Sequence, residues 1–147
     1  MKRPETIAWK KFIGSFFYAG RIKGGGSYTS IIAGLLLYYF LGWNSLSYLI
    51  VFAGFLLLSI LLSYNLLDDP SWFTLDELVG TMVTFAFHTK SIPTLLIGLV
   101  IFRLFDIFKL PFVKRVEKLN FGIVLDDIIS GLIASCFLSI IYLIKRL

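Results

Sequence analysis

No Asp, Glu, Lys, Arg or His occurs from Gly24 to Leu67, a run of 44 consecutive uncharged residues. One bilayer crossing needs about 20 apolar residues, so the tract is long enough for two. Its only polar, turn-like break is Gly42-Trp43-Asn44-Ser45, which predicts a helical hairpin. Over the whole chain 58% of residues are apolar and 16% charged, with a mean hydropathy of +0.87. A typical soluble domain has about 45–50% and about 25%, so disorder and ordinary cytosolic solubility are both disfavoured. At 147 residues the chain is read as one domain, residues 1–147, and any site must be assembled from segments that share one core. The first 23 residues are basic and aromatic, with no uninterrupted apolar core and no small-residue cleavage site. They do not read as a secretory signal peptide.

Trp9, Phe12, Ile13, Phe16 and Phe17 fall at i, i+3, i+4, i+7 and i+8, which predicts five large apolar side chains on one helical face. Lys10 and Lys11 flank that stripe. The segment is read as an interfacial amphipathic helix on an anionic leaflet or as one packed against the bundle. Five helices follow, at about Tyr28 to Leu41, Leu46 to Leu67, Leu75 to Phe87, Pro93 to Phe108 and Ile123 to Ile144. The expected fold is all-α: a polytopic helical membrane bundle of about five helices with an N-terminal interfacial helix. Only the second and fifth comfortably match the hydrocarbon thickness; the first and third, at about 1.5 Å per residue, extend only ~20 Å.

Orientation follows from Lys and Arg. With the N terminus inside and five crossings, inside segments hold Lys2, Arg3, Lys10, Lys11, Arg21, Lys23, Arg103, Lys109, Lys114, Arg115 and Lys118, against Lys90, Lys145 and Arg146 outside. The bias is eleven to three for an inside N terminus. The same arrangement puts eight of the nine acidic residues, all but Glu5, at the cytoplasmic surface.

Four segments there carry chemistry. Asp76 and Glu77 open the helix beginning Leu75-Asp76-Glu77-Leu78-Val79-Gly80. First-turn acids complement the helix dipole; because neighbours point about 100° apart, one is expected to face the site and the other to support it. Arg103, Asp106 and Lys109 recur every three residues on an otherwise apolar helix, a spacing that puts a cation, an anion and a cation on one face. Asp126 and Asp127 lie near the start of the last helix, where adjacent carboxylates are costly unless a metal or a basic group meets them. Gly131, four residues after Asp127, admits a close helix or ligand. Finally, Gly24 to Ser30, with Gly26, Ser27 and Ser30, supplies backbone amides and hydroxyls at a helix start, an arrangement suited to a phosphate.

Hard oxygen ligands without a thiolate or histidine cluster favour Mg²⁺, the basic residues favour a phosphate, and the interfacial position favours a lipid. The single histidine, His88, argues against multi-histidine zinc sites and histidine-based lipid phosphatases. The single cysteine, Cys136, cannot form an intrachain disulfide, and Tyr142 stands where a Cys-x5-Arg phosphatase loop needs arginine. The DGxxAR pattern of CDP-alcohol phosphotransferases and the DxDx motif of haloacid dehalogenases are absent.

Ile101 to Pro111, Gly122 to Gly131 and Asp69 to Gly80 resemble the FRxFDxxKPxP, GxMxDDxxAG and DPxxxVxDExxG patterns of the phosphatidylglycerophosphatase A family, and Gly24 to Ser30 resembles its PGTxGS motif. The departures are Gly25-Gly26-Ser27 for Pro-Gly-Thr, Thr29 for a glycine, Leu110 for a proline and Asn120-Phe121 for a glycine pair. The resemblance implies an all-α, Mg²⁺-dependent hydrolase that converts phosphatidylglycerophosphate to phosphatidylglycerol and phosphate; the basic bias adds the expectation that it is a bacterial inner-membrane protein with its acidic motifs facing the cytoplasm. Its expected partners are that lipid and an anionic membrane surface, with no nucleic acid. Asp76, Asp106, Asp126, Asp127 and Arg103 are the expected catalytic residues, and Asp76, Glu77, Asp106, Asp126 and Asp127 the expected metal ligands. Arg103, Lys109, Gly26, Ser27 and Ser30 are the expected phosphate contacts. The alternative is a small membrane carrier or accessory subunit whose carboxylates bind cations without turnover.

Overall fold

A computed structural model of the chain describes residues 4–64, 66, 70–108 and 121–145. Among them are six α-helices and no strand: α1 (Pro4–Gly14), α2 (Gly25–Phe40), α3 (Leu46–Ser63), α4 (Leu75–Phe85), α5 (Ile92–Ile107) and α6 (Gly122–Ile144). The five expected helices are present with shifted ends. Two of the starts have evident local causes. Ser45 caps α3 by accepting from the Tyr48 N–H at 3.2 Å, and Ser91 caps α5 by accepting from the Thr94 N–H at 3.2 Å with Pro93 in the first turn; both satisfy first-turn donors.

The N-terminal stripe does not form one helical face. α1 stops at Gly14, whose carbonyl accepts the Thr74 N–H at 2.8 Å. A Cβ at Gly14 would come within 2.9 Å of the Trp72 ring. The chain then turns through Phe16, Phe17 and Tyr18, all left-handed (φ 45°, 58° and 70°), with the Tyr18 N–H donating to the Ser15 hydroxyl at 3.0 Å. Ile13 and Phe16 pack inward, while Trp9, Phe12 and Phe17 stay exposed. Docking onto the segment before α4 has overridden the helical period.

Among the described residues, only α3 and α6 are long and apolar enough to cross a bilayer, the same two that length alone singled out. α4, at 11 residues, rises only ~16 Å. It is nevertheless the centre of the bundle, with Leu78, Val79, Met82 and Phe85 buried and α2, α3, α5 and α6 packed around it. Its most extensive contact is with α6. There a Cβ on Gly80 would lie 2.7 Å from the Asp127 carbonyl oxygen, and one on Gly131 would overlap the Gly80 carbonyl and stand 3.0 Å from Val83. The space that Gly131 leaves is therefore taken by α4. Two backbones approach this closely only where neither carries a side chain.

The starts of α2, α4 and α6 and the end of α5 meet at one end of the bundle. Leu62, near the end of α3, clusters with Phe73, Leu75 and Ile123 there. At the other end Trp43 stacks on Phe85 at 4.6 Å.

The crossing gives a signed test. An added methyl favours a helix interior by about 1 kcal/mol over glycine, but overpacking a tight contact costs about 1–3 kcal/mol. Gly131→Ala is expected to lower the thermal unfolding midpoint in detergent by several degrees. Gly54→Ala, which meets nothing within 4 Å, is expected to leave it unchanged or raise it. Equal midpoints for both variants would contradict the crossing.

Candidate active site

Thr74 precedes α4, and its hydroxyl accepts from the Thr29 hydroxyl at 3.1 Å, which ties the second turn of α2 to the start of α4. Asp76 is buried and accepts the Glu77 N–H at 3.0 Å. Glu77 is mostly buried, its side chain 15% exposed. Where one central residue of this pair was expected, both contribute: Asp76, Glu77 and Asp127 each present an oxygen within 4.8 Å of the other two. The glycine crossing makes this meeting possible, because Asp76 lies one turn before Gly80 and Asp127 one turn before Gly131.

Asp106 joins the group from α5. Its carboxyl faces that of Asp127 and is ion-paired with the Arg103 guanidinium, which also lies 3.9 Å from Glu77 Oε1. Asp126, 1% exposed, is buried at the neighbouring position but is not among the three whose oxygens meet. Lys109 lies outside the described residues.

The glycine-hydroxyl segment is the first turn of α2 rather than a loop before it. Gly24, at φ 81°, turns the chain into the helix in a conformation glycine adopts without strain. A Cβ on Gly26 would overlap the Glu77 carboxylate and stand 3.2 Å from Arg103 Nη2, so the turn lies directly against the charged cluster. Ser27 is half-buried, and Ser30 is buried with its hydroxyl donating to the Gly26 carbonyl at 2.9 Å. The N–H groups of a helix's first turn have no intrahelical acceptor, which leaves those of Gly26 and Ser27 available to an anion.

Crowding carboxylates in a buried place is unfavourable. Burial pushes the Glu77 carboxyl up to about 7; the charge of Asp106 acts in the same direction, while the hydrogen bond with Asp76 and the charge of Arg103 oppose it. The positive ends of α2, α4 and α6 offset part of the repulsion. Glu77 Oε2 and Arg103 Nε are buried without a hydrogen-bond partner among the described residues. An oxygen seeking a cation thus stands beside a nitrogen seeking an anion, and the donor set fits a hard divalent ion. His88 is elsewhere, at the far end, where Nε2 meets Ser135 Oγ at 2.9 Å and burial holds the ring below the usual histidine range.

The Thr29–Thr74 contact was missed from sequence. Thr74-x-x-Glu77 has the spacing of a capping box, but the Thr74 side chain makes no cap bond and instead bonds across to α2. Thr29 stands at a position where the family pattern has glycine, so no motif pointed to it.

An all-helical bundle with acidic and guanidinium groups gathered at one end, beside a glycine-opened helix N terminus, is the frame of a phosphate-handling protein. The family model described as phosphatidylglycerophosphatase A matches residues 12–142. The chain belongs to that family, which implies a phosphatase acting on phosphatidylglycerophosphate. No curated protein and no solved structure matches the chain.

The contact at Gly26 is testable in the purified protein. Gly26→Ala drives a methyl into the Glu77 carboxylate and the Arg103 guanidinium, and misplacement on the scale of 1 Å costs on the order of 10² in rate. Phosphate release is expected to fall at least about tenfold while the thermal midpoint stays within a few degrees. Unchanged release would show that the α2 turn does not press on the site.

Proposed function

We propose that this chain is a Mg²⁺-dependent lipid phosphatase that hydrolyses phosphatidylglycerophosphate to phosphatidylglycerol and phosphate. The observation that carries the reading is the meeting of Asp76, Glu77 and Asp127 within 4.8 Å beside Arg103, Asp106 and the first turn of α2. That set offers oxygen ligands on one side and phosphate donors on the other. Family membership supplies the substrate.

Asp76, Glu77 and Asp127 would hold the ion, with Asp106 and Asp126 as neighbouring carboxylates. When bound, Mg²⁺ neutralises charge that develops on the phosphoryl oxygens. Arg103 and the N–H groups of Gly26 and Ser27 bind and orient those oxygens; Lys109 is the further cation expected from the sequence. One aspartate, with Asp106 the best placed outside the trio, accepts the proton of the attacking water as oxygen bonds to phosphorus. The ester oxygen leaves with the electron pair of the broken P–O bond and takes a proton, giving phosphatidylglycerol. Phosphate monoesters are so slow unaided that positioning and electrostatic stabilisation must supply roughly 20 kcal/mol or more.

The membrane placement is part of the same proposal. α3 and α6 have the length and apolarity to cross, and large apolar side chains such as Ile50, Leu57, Leu96, Val100 and Ile140 point outward, where bilayer hydrocarbon would meet them. Trp9, Phe12 and Phe17 are exposed beside Lys10 and Lys11, which suits an anionic interface. The eleven-to-three basic bias assigns the carboxylate end to the cytoplasm of a bacterial inner membrane.

Excess chelator is expected to abolish phosphate release, and added Mg²⁺ to restore it. Asp106→Asn and Asp127→Asn are each expected to lower turnover by on the order of 10² or more in folded, membrane-bound protein. Full activity in chelator would reject the metal, and near-wild-type release by both variants would return the carboxylates to a structural or carrier role. For orientation, a Ser71→Cys label in a Cys136→Ala background is expected to react from the cytoplasmic side of inverted vesicles. Reaction from the periplasmic side alone would reverse the topology.

A further inference from the structure

α2 and α3 are consecutive and joined by a short turn, yet they barely touch; each packs instead on α4. Successive elements usually pair. Here the space between them is a groove of about 130 Å³ with an almost wholly apolar wall, lined by Leu78 and Met82 of α4, Ala33 and Leu37 of α2 and Phe55 of α3. Leu36, 44% exposed, stands on its rim.

Its position relative to the charged site is what identifies an occupant. Along α2 the polar stretch Gly26, Ser27 and Ser30 ends, and one turn on the groove begins at Ala33 and continues through Leu37 to Leu41, ~12 Å along the axis. Along α4, Glu77 belongs to the charged cluster and the next residue, Leu78, belongs to the groove. Phe16 also lines the groove. A phosphate-binding end therefore runs directly into an apolar channel, which is the order of parts in a phospholipid. A second cleft of about 210 Å³ lies across α3, lined by Tyr48, Ala86, Phe87 and Ser135. It opens at the far end of α4 and has no such continuity.

Resting on the phosphatase reading, we infer that the α2–α3 groove receives one acyl chain of the lipid whose phosphate lies at the carboxylate end. The chain leaves one hydrocarbon environment for another, so it gains no hydrophobic free energy on entering. The groove instead fixes the depth and rotation of the headgroup, converting an amphiphile that diffuses in the leaflet into one whose phosphorus faces Arg103 and the carboxylates. Specificity for long-chain monoesters over chainless ones then comes from positioning at a distance from the reacting atoms.

The test uses the full chain in phosphatidylcholine vesicles containing a little phosphatidic acid with a diazirine at mid-chain, flash-photolysed and mapped by peptide mass spectrometry. Adducts are expected on α2 and α3 around Leu37 and Phe55, removed by excess unlabelled phosphatidic acid and not by added phosphatidylcholine. Leu36→Trp, which fills the groove from its rim, is expected to reduce them; Leu132→Trp in the far cleft is not. Adducts that resist the competitor, or that fall around Leu132, would overturn the inference. In a parallel assay Leu36→Trp is expected to lower kcat/KM for a long-chain lipid phosphomonoester by about tenfold or more and to spare glycerol 3-phosphate; equal losses on both would also overturn it. If wild-type protein releases phosphate from no monoester, the phosphatase reading fails, and the groove is judged by the competed adducts alone.

Discussion

The contact between α4 and α6 at Gly80 and Gly131 is the constraint on which the rest of the molecule depends. It lets two helices that start at the same end lie backbone against backbone, and each carries an aspartate one turn before its glycine. Close approach at the glycines brings Asp76 and Asp127 together. A side chain at either glycine would separate the helices and, with them, the carboxylates. A short helix can serve as the core because its neighbours supply the burial: α4 is surrounded by α2, α3, α5 and α6, and the Tyr48 hydroxyl donates to the Met82 carbonyl at 2.5 Å, fixing α3 against it.

That packing creates an electrostatic problem which the architecture answers in part. Asp127 is 4% exposed and faces three other acidic side chains. Helix N termini from α2, α4 and α6 point positive ends at the group, and Arg103 reaches both Asp106 and Glu77. The remaining negative charge, together with the unpartnered Glu77 Oε2, is what a divalent cation would neutralise. A cation bound there would link the stability of this end of the bundle to its chemistry.

Much of this was legible in the sequence because it is local. Acids at the first turn of a helix, the three-residue spacing of Arg103 and Asp106, and the aspartate-to-glycine spacing before Gly131 each reflect one helix seen alone. What was not legible depends on contacts between segments. The aromatic period from Trp9 to Phe17 favours a continuous helix, but docking of Gly14 onto Trp72 and Thr74 ends it early. The Thr29–Thr74 bond joins residues that no motif links. Periodicity also could not separate Asp126 from Asp127, since adjacent positions on a helix differ only in direction; the partner helix makes that choice by meeting Asp127.

The central claim is that carboxylates from α4 and α6 form one cation site. It is tested most directly by Mn²⁺ binding to the purified protein, followed by electron paramagnetic resonance. Wild-type protein is expected to bind the ion, and Asp76→Asn on α4 and Asp127→Asn on α6 are each expected to abolish or strongly weaken that binding while the helical content is unchanged. Undiminished Mn²⁺ binding in either folded variant would contradict a site shared between the two helices.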